Sequence, residues 1–257
     1  MATIVDKIPK KTPPTWEGVY QTMQEAAAVG NGFSGKRWLE RVFQQLEDYN
    51  LDRKKNGNKA LPPRPSSLPF LCSLTNPNSI VDFGGSSGWL WYYIKECIPY
   101  LSIEKYDIIE IENICRHFKT SNFHDGSPIN YYLSHEIITN YDILYTNSML
   151  QYIENDELFL NIIQTTSPKY ILIDNFLGGM INDYISTQIY YEDRIPVKLR
   201  NSVDFIDKIK LLNFELIYTA PYIQEIRGII QPFQMDAFPE KMRFKYGINF
   251  LLKKMND

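Results

Sequence analysis

A carboxylate and a glycine-rich turn stand together at residues 82–88, which read D-F-G-G-S-S-G. Apolar residues precede and follow this stretch, so it predicts a buried strand, a tight turn and a helix. Glycine accepts a positive φ and places no Cβ between the backbone and a ligand. The helix would direct its free N–H groups and its positive dipole end toward the same point. Together these features predict a site where a polar cofactor lies against the main chain.

The spacing of the turn distinguishes it from other glycine-rich loops. A phosphate-binding P-loop has lysine and then serine or threonine after its last glycine, but Trp89 follows Gly88 here. A dinucleotide fingerprint requires G-x-G-x-x-G, whereas Gly84 and Gly88 stand four apart with Gly85 between them. A structural strand-to-helix turn without any ligand remains an alternative.

The composition indicates a globular protein with a large apolar core. The chain has 257 residues, of which 44% are hydrophobic, and a formal net charge of −3. Because it has no broad basic region, nucleic acid is not expected as a partner. Cys72, Cys97 and Cys115 show no C-x-x-C spacing, so we expect neither a metal site nor a disulfide framework. The sequence has no apolar signal core and no run of about 20 apolar residues, so we expect a cytoplasmic protein without a membrane span.

From residue 79 onward, strand patterns alternate with helical patterns. The predicted strands are Ile80–Phe83, Tyr106–Ile111, Ile129–Leu133, Asp142–Tyr145, Tyr170–Asp174, Phe214–Tyr218 and Ile248–Leu252. The predicted helices between them are Trp89–Cys97, Asn113–Lys119, Asp156–Gln164 and Ser202–Leu211. This alternation predicts an α/β fold with a mostly parallel sheet and helices on both faces. The last two strands have no clear helix between them, which predicts an atypical connection.

The first 75 residues follow a different pattern. Val19–Val29 is rich in helix formers, and Lys36–Asn50 places apolar residues, Trp38 among them, at three- and four-residue steps. A proline-rich segment at residues 62–65 then acts as a stiff linker. We therefore expect a helical lead-in over residues 1–75 and a cofactor-binding domain over residues 76–257.

Glu110 lies at the end of the second predicted strand. In a doubly wound sheet the ligand lies beyond the carboxyl ends of the strands, so residues at those ends are candidates for binding. A carboxylate can accept hydrogen bonds from two ribose hydroxyls at once, and Glu110 is therefore predicted to bind a ribose. Glu112 is the competing candidate, and a solvated acid without a ligand is the other alternative.

The turn, as D-x-G-G-x-x-G, resembles the cofactor loop of class I S-adenosylmethionine-dependent methyltransferases. With Tyr141–Leu144 and Asn147–Ile153, the stretch Val81–Gly85 is similar to methyltransferases associated with surface-polysaccharide gene clusters. The resemblance implies a Rossmann-like sheet of seven strands with an antiparallel final hairpin. It also implies S-adenosylmethionine as cofactor and S-adenosylhomocysteine as product. The implied cofactor-binding residues are Asp82, Gly84, Gly85, Ser86, Gly88, Glu110, Asn147 and Ser148.

Ser86 departs from the pattern of the resemblance, because many relatives carry glycine at this place. Serine should still permit the turn. The resemblance implies a direct displacement, in which the protein mainly aligns an acceptor oxygen with the methyl group and excludes water.

An alcohol acceptor would also need a general base. Many small-molecule O-methyltransferases carry a histidine after the fourth strand, but this chain has Gln151 there. Gln151 cannot take a proton and is predicted to orient the acceptor. Asp174 is the first candidate for a base, since it ends the fifth strand and should face the pocket, and His135 is the second. A phosphate-like or phosphoramidate oxygen would need no base.

Substrate-binding residues are predicted in two places. Tyr152 follows the fourth strand and would line the substrate side of the site. Residues 178–199 form a long connection of the kind that often serves as a lid or a binding loop. In it, Tyr190 could stack on a sugar and Arg194 could bind a phosphate. An ordinary surface loop or a dimer contact is the alternative for this connection.

The resemblance predicts an O-methyltransferase for a sugar or a sugar modification, such as a phosphoramidate, in capsule or lipopolysaccharide biosynthesis. The expected partner is a small glycan precursor, namely a sugar, a sugar phosphate or a nucleotide-linked sugar, and a homodimer is a further expectation. A catalytically degenerate fold that binds a partner in a biosynthetic complex remains an alternative. An NAD(P)-dependent oxidoreductase is less favoured, because neither Tyr100–Glu104 nor Tyr141–Tyr145 supplies the Tyr-x-x-x-Lys pair.

Overall fold

The computed structural model describes residues 15–26, 33, 36–60, 62–121, 123–136, 140–190, 193–223, 225–226, 229–230 and 232–255. Its strands are β1 (Trp16–Tyr20), β2 (Ser79–Phe83), β3 (Lys105–Ile109), β4 (Ile129–Tyr132), β5 (Ile143–Asn147), β6 (Tyr170–Phe176), β7 (Gly178–Gly179), β8 (Tyr184–Tyr190), β9 (Asp193–Asn201), β10 (Phe214–Tyr222), β11 (Glu225–Ile226), β12 (Ile229–Ile230) and β13 (Gly247–Lys254). Its helices are α1 (Lys36–Asn56), α2 (Leu68–Thr75), α3 (Trp89–Cys97), α4 (Glu112–Thr120), α5 (Glu157–Thr166) and α6 (Ser202–Lys210), and short 3₁₀ turns cover Gly57–Lys59, Leu150–Tyr152 and Glu240–Met242.

Seven strands form one large sheet in the order β10-β13-β6-β5-β2-β3-β4. The strands β6, β5, β2, β3 and β4 are parallel to one another. β13 and β10 extend the sheet in antiparallel orientation. The seven predicted strands and the antiparallel final hairpin are therefore confirmed.

The side chains of the large sheet alternate between two apolar clusters. Ile80 and Tyr145 point to one cluster, which includes buried residues of α1, α2, α3 and α4. Val81 and Leu144 point to the other, which includes buried residues of α5 and α6. Strands buried on both faces need continuous apolar runs, which is why the sequence shows them so clearly. Across the described ranges, no helix has the length and apolar character that crossing a membrane requires.

β1, β8, β9 and β7 form a second, smaller sheet. β8 and β9 make an antiparallel hairpin, and β1 pairs with β8. The prediction of a long loop over residues 178–199 is therefore wrong. Ile195, Val197 and Leu199 are buried while the residues between them are partly exposed, which is the alternation of a strand with one buried face. Trp16 belongs to the third apolar cluster, beside Val197 and Leu199.

The N-terminal segment does not form the helix predicted over Val19–Val29. Val19 and Tyr20 belong to β1, residues 21–26 form turns, and residues 27–29 lie outside the described residues. Pairing with β8 outweighs the local helix propensity here. The second predicted helix is confirmed and extends to Asn56 as α1. Its buried face packs in the same cluster as α3, so this helix lies on the large sheet.

A buried arginine joins the two sheets. Arg200 at the end of β9 is 1% exposed, and its Nε donates to Oδ1 of Asp156 at 2.8 Å. Its Nη1 and Nη2 donate to the carbonyl oxygens of Leu150 and Ile153 at 2.7 and 2.6 Å. Burial opposes the ionisation of Asp156, but hydrogen bonds from Lys208 and Arg200 outweigh it and lower the pKa of Asp156. Arg200 thereby fixes the segment after β5 against the second sheet.

We expect Arg200→Met to lower the free energy of unfolding by about 3 kcal/mol, because it takes the guanidinium donors away from Oδ1 of the buried Asp156 and from two carbonyl oxygens, while Lys208 still pairs with Oδ2 of Asp156. Urea unfolding measures the change. Lys210→Met is the matched control, since it breaks an ion pair with Asp207 in which both side chains are about half exposed. That variant should lose no more than about 1 kcal/mol. Equal losses in the two variants would contradict the role of Arg200.

Candidate active site

One cavity lies at the carboxyl ends of the parallel strands and encloses about 970 Å³, its open mouth included. Its described lining consists of Phe33, Trp38, Gln45, Arg64, Asp82, Gly84, Gly85, Ser86, Trp89, Leu90, Glu110, Ile111, Tyr145, Asn147, Ser148, Met149, Tyr152 and Gln188. All the predicted cofactor residues except Gly88 are among them. Gly88 instead precedes the first residue of α3 as its N-cap. The structure thus brings the predicted cofactor residues together.

The turn after β2 has a backbone shape that excludes larger residues. Gly84 and Gly88 have φ values of +77° and +70°, in the left-handed region that glycine adopts most readily. A Cβ on Gly84 would lie 2.6 Å from Cγ of Met149. A Cβ on Gly85 would lie 2.7 Å from the carboxyl carbon of Asp82. The glycines therefore let the turn approach both the carboxylate and the cavity.

Ser86 shares the left-handed conformation, with a φ of +56°. Its N–H donates to Oε1 of Glu110 at 3.0 Å. The hydroxyl of Tyr131 donates to its carbonyl oxygen at 3.1 Å. These two bonds offset the cost of a non-glycine residue in this region. Serine at position 86 therefore permits the turn.

Two carboxyl groups withdrawn from water adjoin the turn. Asp82 is 2% exposed, and its Oδ2 accepts a hydrogen bond from the Tyr106 hydroxyl at 2.7 Å. Burial raises the pKa of Asp82 to about 7, although the bond from Tyr106 acts against the rise. The two carboxylate oxygens of Glu110 accept from the N–H groups of Ser86 and Ile111 at 3.0 and 2.9 Å. Burial raises the pKa of Glu110 as well. A hydroxyl or a positive charge on a bound ligand would favour the ionised form of either carboxyl group and lower its pKa.

Glu112, the competing candidate, does not take part in the described lining of the cavity. It is the first residue of α4, and its side chain is 70% exposed. It pairs with Arg116 one turn later in the same helix. The geometry therefore favours Glu110 over Glu112 as the ligand-binding carboxylate. The strand pattern could not separate the two, because Glu110 lies at the end of the second predicted strand and Glu112 directly follows that strand.

A partly buried group of aromatic side chains supports the turn. The ring nitrogens Nδ1 and Nε2 of His124 lie 3.0 Å from the Tyr92 hydroxyl and 3.2 Å from the Tyr131 hydroxyl. Burial lowers the pKa of His124 to about 4, so its ring is neutral near pH 7. Because Tyr131 also holds the carbonyl of Ser86, this group fixes the position of the turn. No sequence pattern indicated this contact.

The hydroxyl of Tyr145 is the centre of a hydrogen-bond network at the ends of β5 and β6. It donates to Oδ2 of Asp174 at 3.0 Å and lies 2.8 Å from Oγ of Ser66. Nδ2 of Asn147 donates to it at 3.0 Å. Oγ of Ser148 in turn donates to Oδ1 of Asn147 at 2.8 Å. The network orients Asn147 and Ser148, two of the predicted cofactor-binding residues.

Asp174 is not in the described lining of the cavity, contrary to the prediction that it faces the pocket. It is 1% exposed, and its Oδ2 accepts from the N–H of Ser67 at 2.7 Å and from the Tyr145 hydroxyl. Burial raises the pKa of Asp174. The strand pattern places it at the correct edge of the sheet, but Tyr145 is the residue that reaches the cavity. In this geometry Asp174 positions the hydroxyl of Tyr145, which lines the cavity, and the role of Asp174 as a base stays a prediction.

Gln151 and His135 also lie outside the described lining. Gln151 is 4% exposed, and its Nε2 donates to the carbonyl oxygen of Ser148 at 2.7 Å. It stabilises the turn after β5 and does not face the space where an acceptor would bind. His135 is exposed in the turn after β4. Neither side chain is placed to contact an acceptor. Local backbone contacts and the direction of the chain decide where each side chain points, and the sequence pattern does not predict them.

Tyr152 lines the cavity as predicted. Its hydroxyl donates to Oε1 of Gln188 at 2.7 Å. The ring of Phe33 packs edge-on against it, with 4.5 Å between ring centroids. Tyr152 therefore joins the second sheet, through Gln188 on β8, to the N-terminal part of the chain.

Arg194 does not reach the described lining of the cavity, so its predicted placement is wrong. Its Nε donates to the carboxylate of Glu17 on β1. This placement follows from the hairpin that replaces the expected loop, since Arg194 lies on β9 as part of a sheet. The backbone of Tyr190 ends β8, and its side chain lies outside the described part of the structure.

The N-terminal part of the chain also contributes to the cavity, which no pattern in the sequence indicated. Trp38 and Gln45 reach it from α1, and Arg64 reaches it from the proline-rich segment. The apolar spacing assigned Trp38 to a buried helix face, and the prolines assigned Arg64 to a linker. Neither pattern reports which elements meet at the mouth of the cavity, because that depends on how α1 packs on the large sheet.

No protein-family model and no curated protein matches the sequence. Among solved structures, 1,6-didemethyltoxoflavin-N1-methyltransferase from Burkholderia thailandensis, with bound 1,6-didemethyltoxoflavin and S-adenosylhomocysteine, is similar over 90% of this chain and 95% of that one, with a TM-score of 0.52 and 12% identity. TehB from Haemophilus influenzae is similar over 80% of this chain and 67% of that one, with a TM-score of 0.51 and 14% identity. Similarity at these identities is a similarity of fold. The chain has the Rossmann-like fold of the class I methyltransferases.

Proposed function

We propose that the protein is an S-adenosylmethionine-dependent methyltransferase. One observation carries this proposal: the glycine-rich turn and Glu110 line the same cavity, and the N–H of Ser86 in the turn donates a hydrogen bond to Glu110. The fold supports it, since the similar Burkholderia enzyme holds S-adenosylhomocysteine. The same product would leave this cavity after methyl transfer.

Different residues of the cavity would bind different parts of the cofactor. Glu110 would accept bonds from the two ribose hydroxyls, because each carboxylate oxygen can accept more than the one backbone bond that it now has. The open backbone at Gly84 and Gly85 would lie against the methionine part. Asn147 and Ser148 line the cavity at the end of β5 and would contact the same part.

The reaction is a displacement at the methyl carbon. An acceptor oxygen forms a bond to that carbon, the bond from carbon to sulfur breaks, and its electron pair stays on sulfur. The sulfonium thereby loses its positive charge, and any proton on the acceptor oxygen must leave. The cavity contributes by aligning the two reactants and excluding water.

The acceptor that we propose is an oxygen of a sugar or a sugar modification in surface-polysaccharide biosynthesis. Phe33, Trp38 and Tyr152 give the cavity aromatic walls of the kind that suit such a ligand. The described lining contains no histidine, lysine or cysteine. Of its two carboxyl groups, Asp82 accepts a hydrogen bond from Tyr106 and Glu110 accepts one from the turn. An acceptor oxygen that is already ionised, as in a phosphate-like or phosphoramidate group, therefore fits better than a neutral hydroxyl.

The direct test is the transfer of a labelled methyl group from S-adenosylmethionine to a panel of sugars, sugar phosphates and nucleotide-linked sugars. We expect label on an ionised member of the panel. Glu110→Gln should raise the KM for S-adenosylmethionine about 10- to 100-fold, because an amide accepts fewer and weaker bonds than a carboxylate.

Glu112→Gln is the matched control for this assay. It removes the same charge two residues away, from an exposed side chain paired with Arg116. Its KM should equal that of the unaltered protein. If S-adenosylhomocysteine binds but no acceptor on the panel is methylated, the alternative of a degenerate binding fold gains support. Equal effects of the two substitutions would contradict the assignment of Glu110.

The raised pKa of Asp82, about 7 in the free protein, predicts a pH dependence for binding. The positive charge of the cofactor favours the ionised carboxylate, so binding should lower this pKa and release a proton. The affinity should therefore fall as the pH decreases from about 8 to about 6. Asp82→Asn should remove most of this slope. Calorimetric titration with the cofactor at several pH values, in two buffers of different ionisation enthalpy, measures both the affinity and the proton release. An unchanged pH dependence of the affinity in Asp82→Asn would contradict this role of Asp82.

A further inference from the structure

Arg64 is the one positively charged side chain among the described residues that line the cavity. It is partly buried, and within the described part of the chain no hydrogen bond or ion pair reaches its guanidinium. The other charged groups of the described lining, Asp82 and Glu110, are both negative and adjoin the glycine-rich turn. Arg64 thus supplies the one positive charge in the described lining of a cavity whose other charged groups are acidic.

The segment that carries Arg64 is held in place by three contacts. The N–H of Ser67 donates to Asp174 at 2.7 Å, and the carbonyl oxygen of Pro65 accepts from Nδ2 of Asn147 at 3.1 Å. Oγ of Ser66 lies 2.8 Å from the hydroxyl of Tyr145. These anchors come from the same hydrogen-bond network that orients Asn147 toward the cavity. Arg64 is therefore presented from a fixed backbone and not from a free loop.

A second observation places the charge of Arg64 near the ends of β6 and β10. Burial raises the pKa of Tyr222 to about 12, and the charge of Arg64 acts against that rise while the charge of Asp174 adds to it. Tyr222 is 4% exposed, so the guanidinium acts across a poorly solvated region. A guanidinium that is partly withdrawn from water and forms no ion pair with a described residue is costly to the free protein. Binding of an anion would remove that cost and would be stronger than on an exposed arginine.

We propose that Arg64 is the anion-binding residue of the cavity and that it pairs with a carboxylate or phosphoryl group of a bound ligand. The planar guanidinium can donate two parallel hydrogen bonds to either group. This inference rests on the proposed methyltransferase function. Two sources can supply the group: the methionine carboxylate of the cofactor, or an anionic group of the acceptor. In the second case Arg64 would hold an ionised acceptor in a cavity whose described lining has no histidine, lysine or cysteine to serve as a base.

The test compares Arg64→Gln with Arg116→Gln, which removes the same charge from a side chain that is 74% exposed on α4. Three probes are titrated by calorimetry. They are S-adenosylhomocysteine, 5′-methylthioadenosine, which lacks the amino-acid part, and inorganic phosphate, which is added to the free protein and to its complex with S-adenosylhomocysteine. Equal melting temperatures for the two variants and the unaltered protein show that the fold is intact, and Arg64→Lys serves as a variant that keeps the charge.

The cofactor source predicts that Arg64→Gln weakens S-adenosylhomocysteine at least about tenfold and leaves 5′-methylthioadenosine unchanged. The acceptor source predicts unchanged affinity for both nucleosides and loss of phosphate binding to the complex. Arg64→Lys should keep part of whichever affinity is lost, and Arg116→Gln should behave like the unaltered protein.

Unchanged binding of every probe in Arg64→Gln would overturn the inference, and so would an equal loss in Arg116→Gln. A failure of the proposed function is a different result. In that case the unaltered protein would not bind S-adenosylhomocysteine at all, while phosphate binding to the free protein, and its loss in Arg64→Gln, would still decide whether Arg64 binds anions.

Discussion

The hydrogen bond from the N–H of Ser86 to the carboxylate of Glu110 is the interaction on which the site depends. It joins the turn after β2 to the end of β3, and it forms because the turn takes positive φ values at Gly84, Ser86 and Gly88. The same contact holds the partly buried carboxylate at the cavity wall. A larger residue at Gly84 or Gly85 would disturb this hydrogen bond and cover the accessible backbone beside it, because the added Cβ would meet Met149 or Asp82, respectively.

The other walls of the cavity come from parts of the chain that are distant from this turn in sequence. α1 packs on the large sheet and brings Trp38 to the cavity, while β1 pairs with β8 and so stabilises the hairpin that carries Gln188. Arg200 connects that hairpin to the segment containing Tyr152. The ligand space is therefore bounded by both sheets at once, and a change that loosens the second sheet is expected to reach the site through Tyr152.

The large sheet could be predicted from the sequence because β2, β3, β5 and β6 are mostly buried on both faces, and the edge strand β4 shows the alternation of a strand with one buried face. The glycine-rich turn was equally visible, since its residues stand next to one another. The second sheet was not, because residues 19–29 carry helix formers and only pairing with the distant β8 makes β1 a strand. Tyr145 and Asp174 lie near the carboxyl ends of the neighbouring strands β5 and β6. The sequence pattern predicts the edge of the sheet that they share, but not which of the two side chains reaches the cavity. Arg64 lies in a proline-rich segment that has no periodicity to interpret.

Calorimetric titration of the purified protein with S-adenosylhomocysteine, beside an identical titration with NAD⁺, tests the central claim that the turn and Glu110 form an S-adenosylmethionine site. We expect saturable one-to-one binding of S-adenosylhomocysteine, with a Kd on the order of micromolar, and no heat of binding from NAD⁺. Binding of NAD⁺ without S-adenosylhomocysteine would contradict the claim and favour an oxidoreductase. Absence of binding by both would contradict it as well, and would leave the turn as a structural connection between β2 and α3.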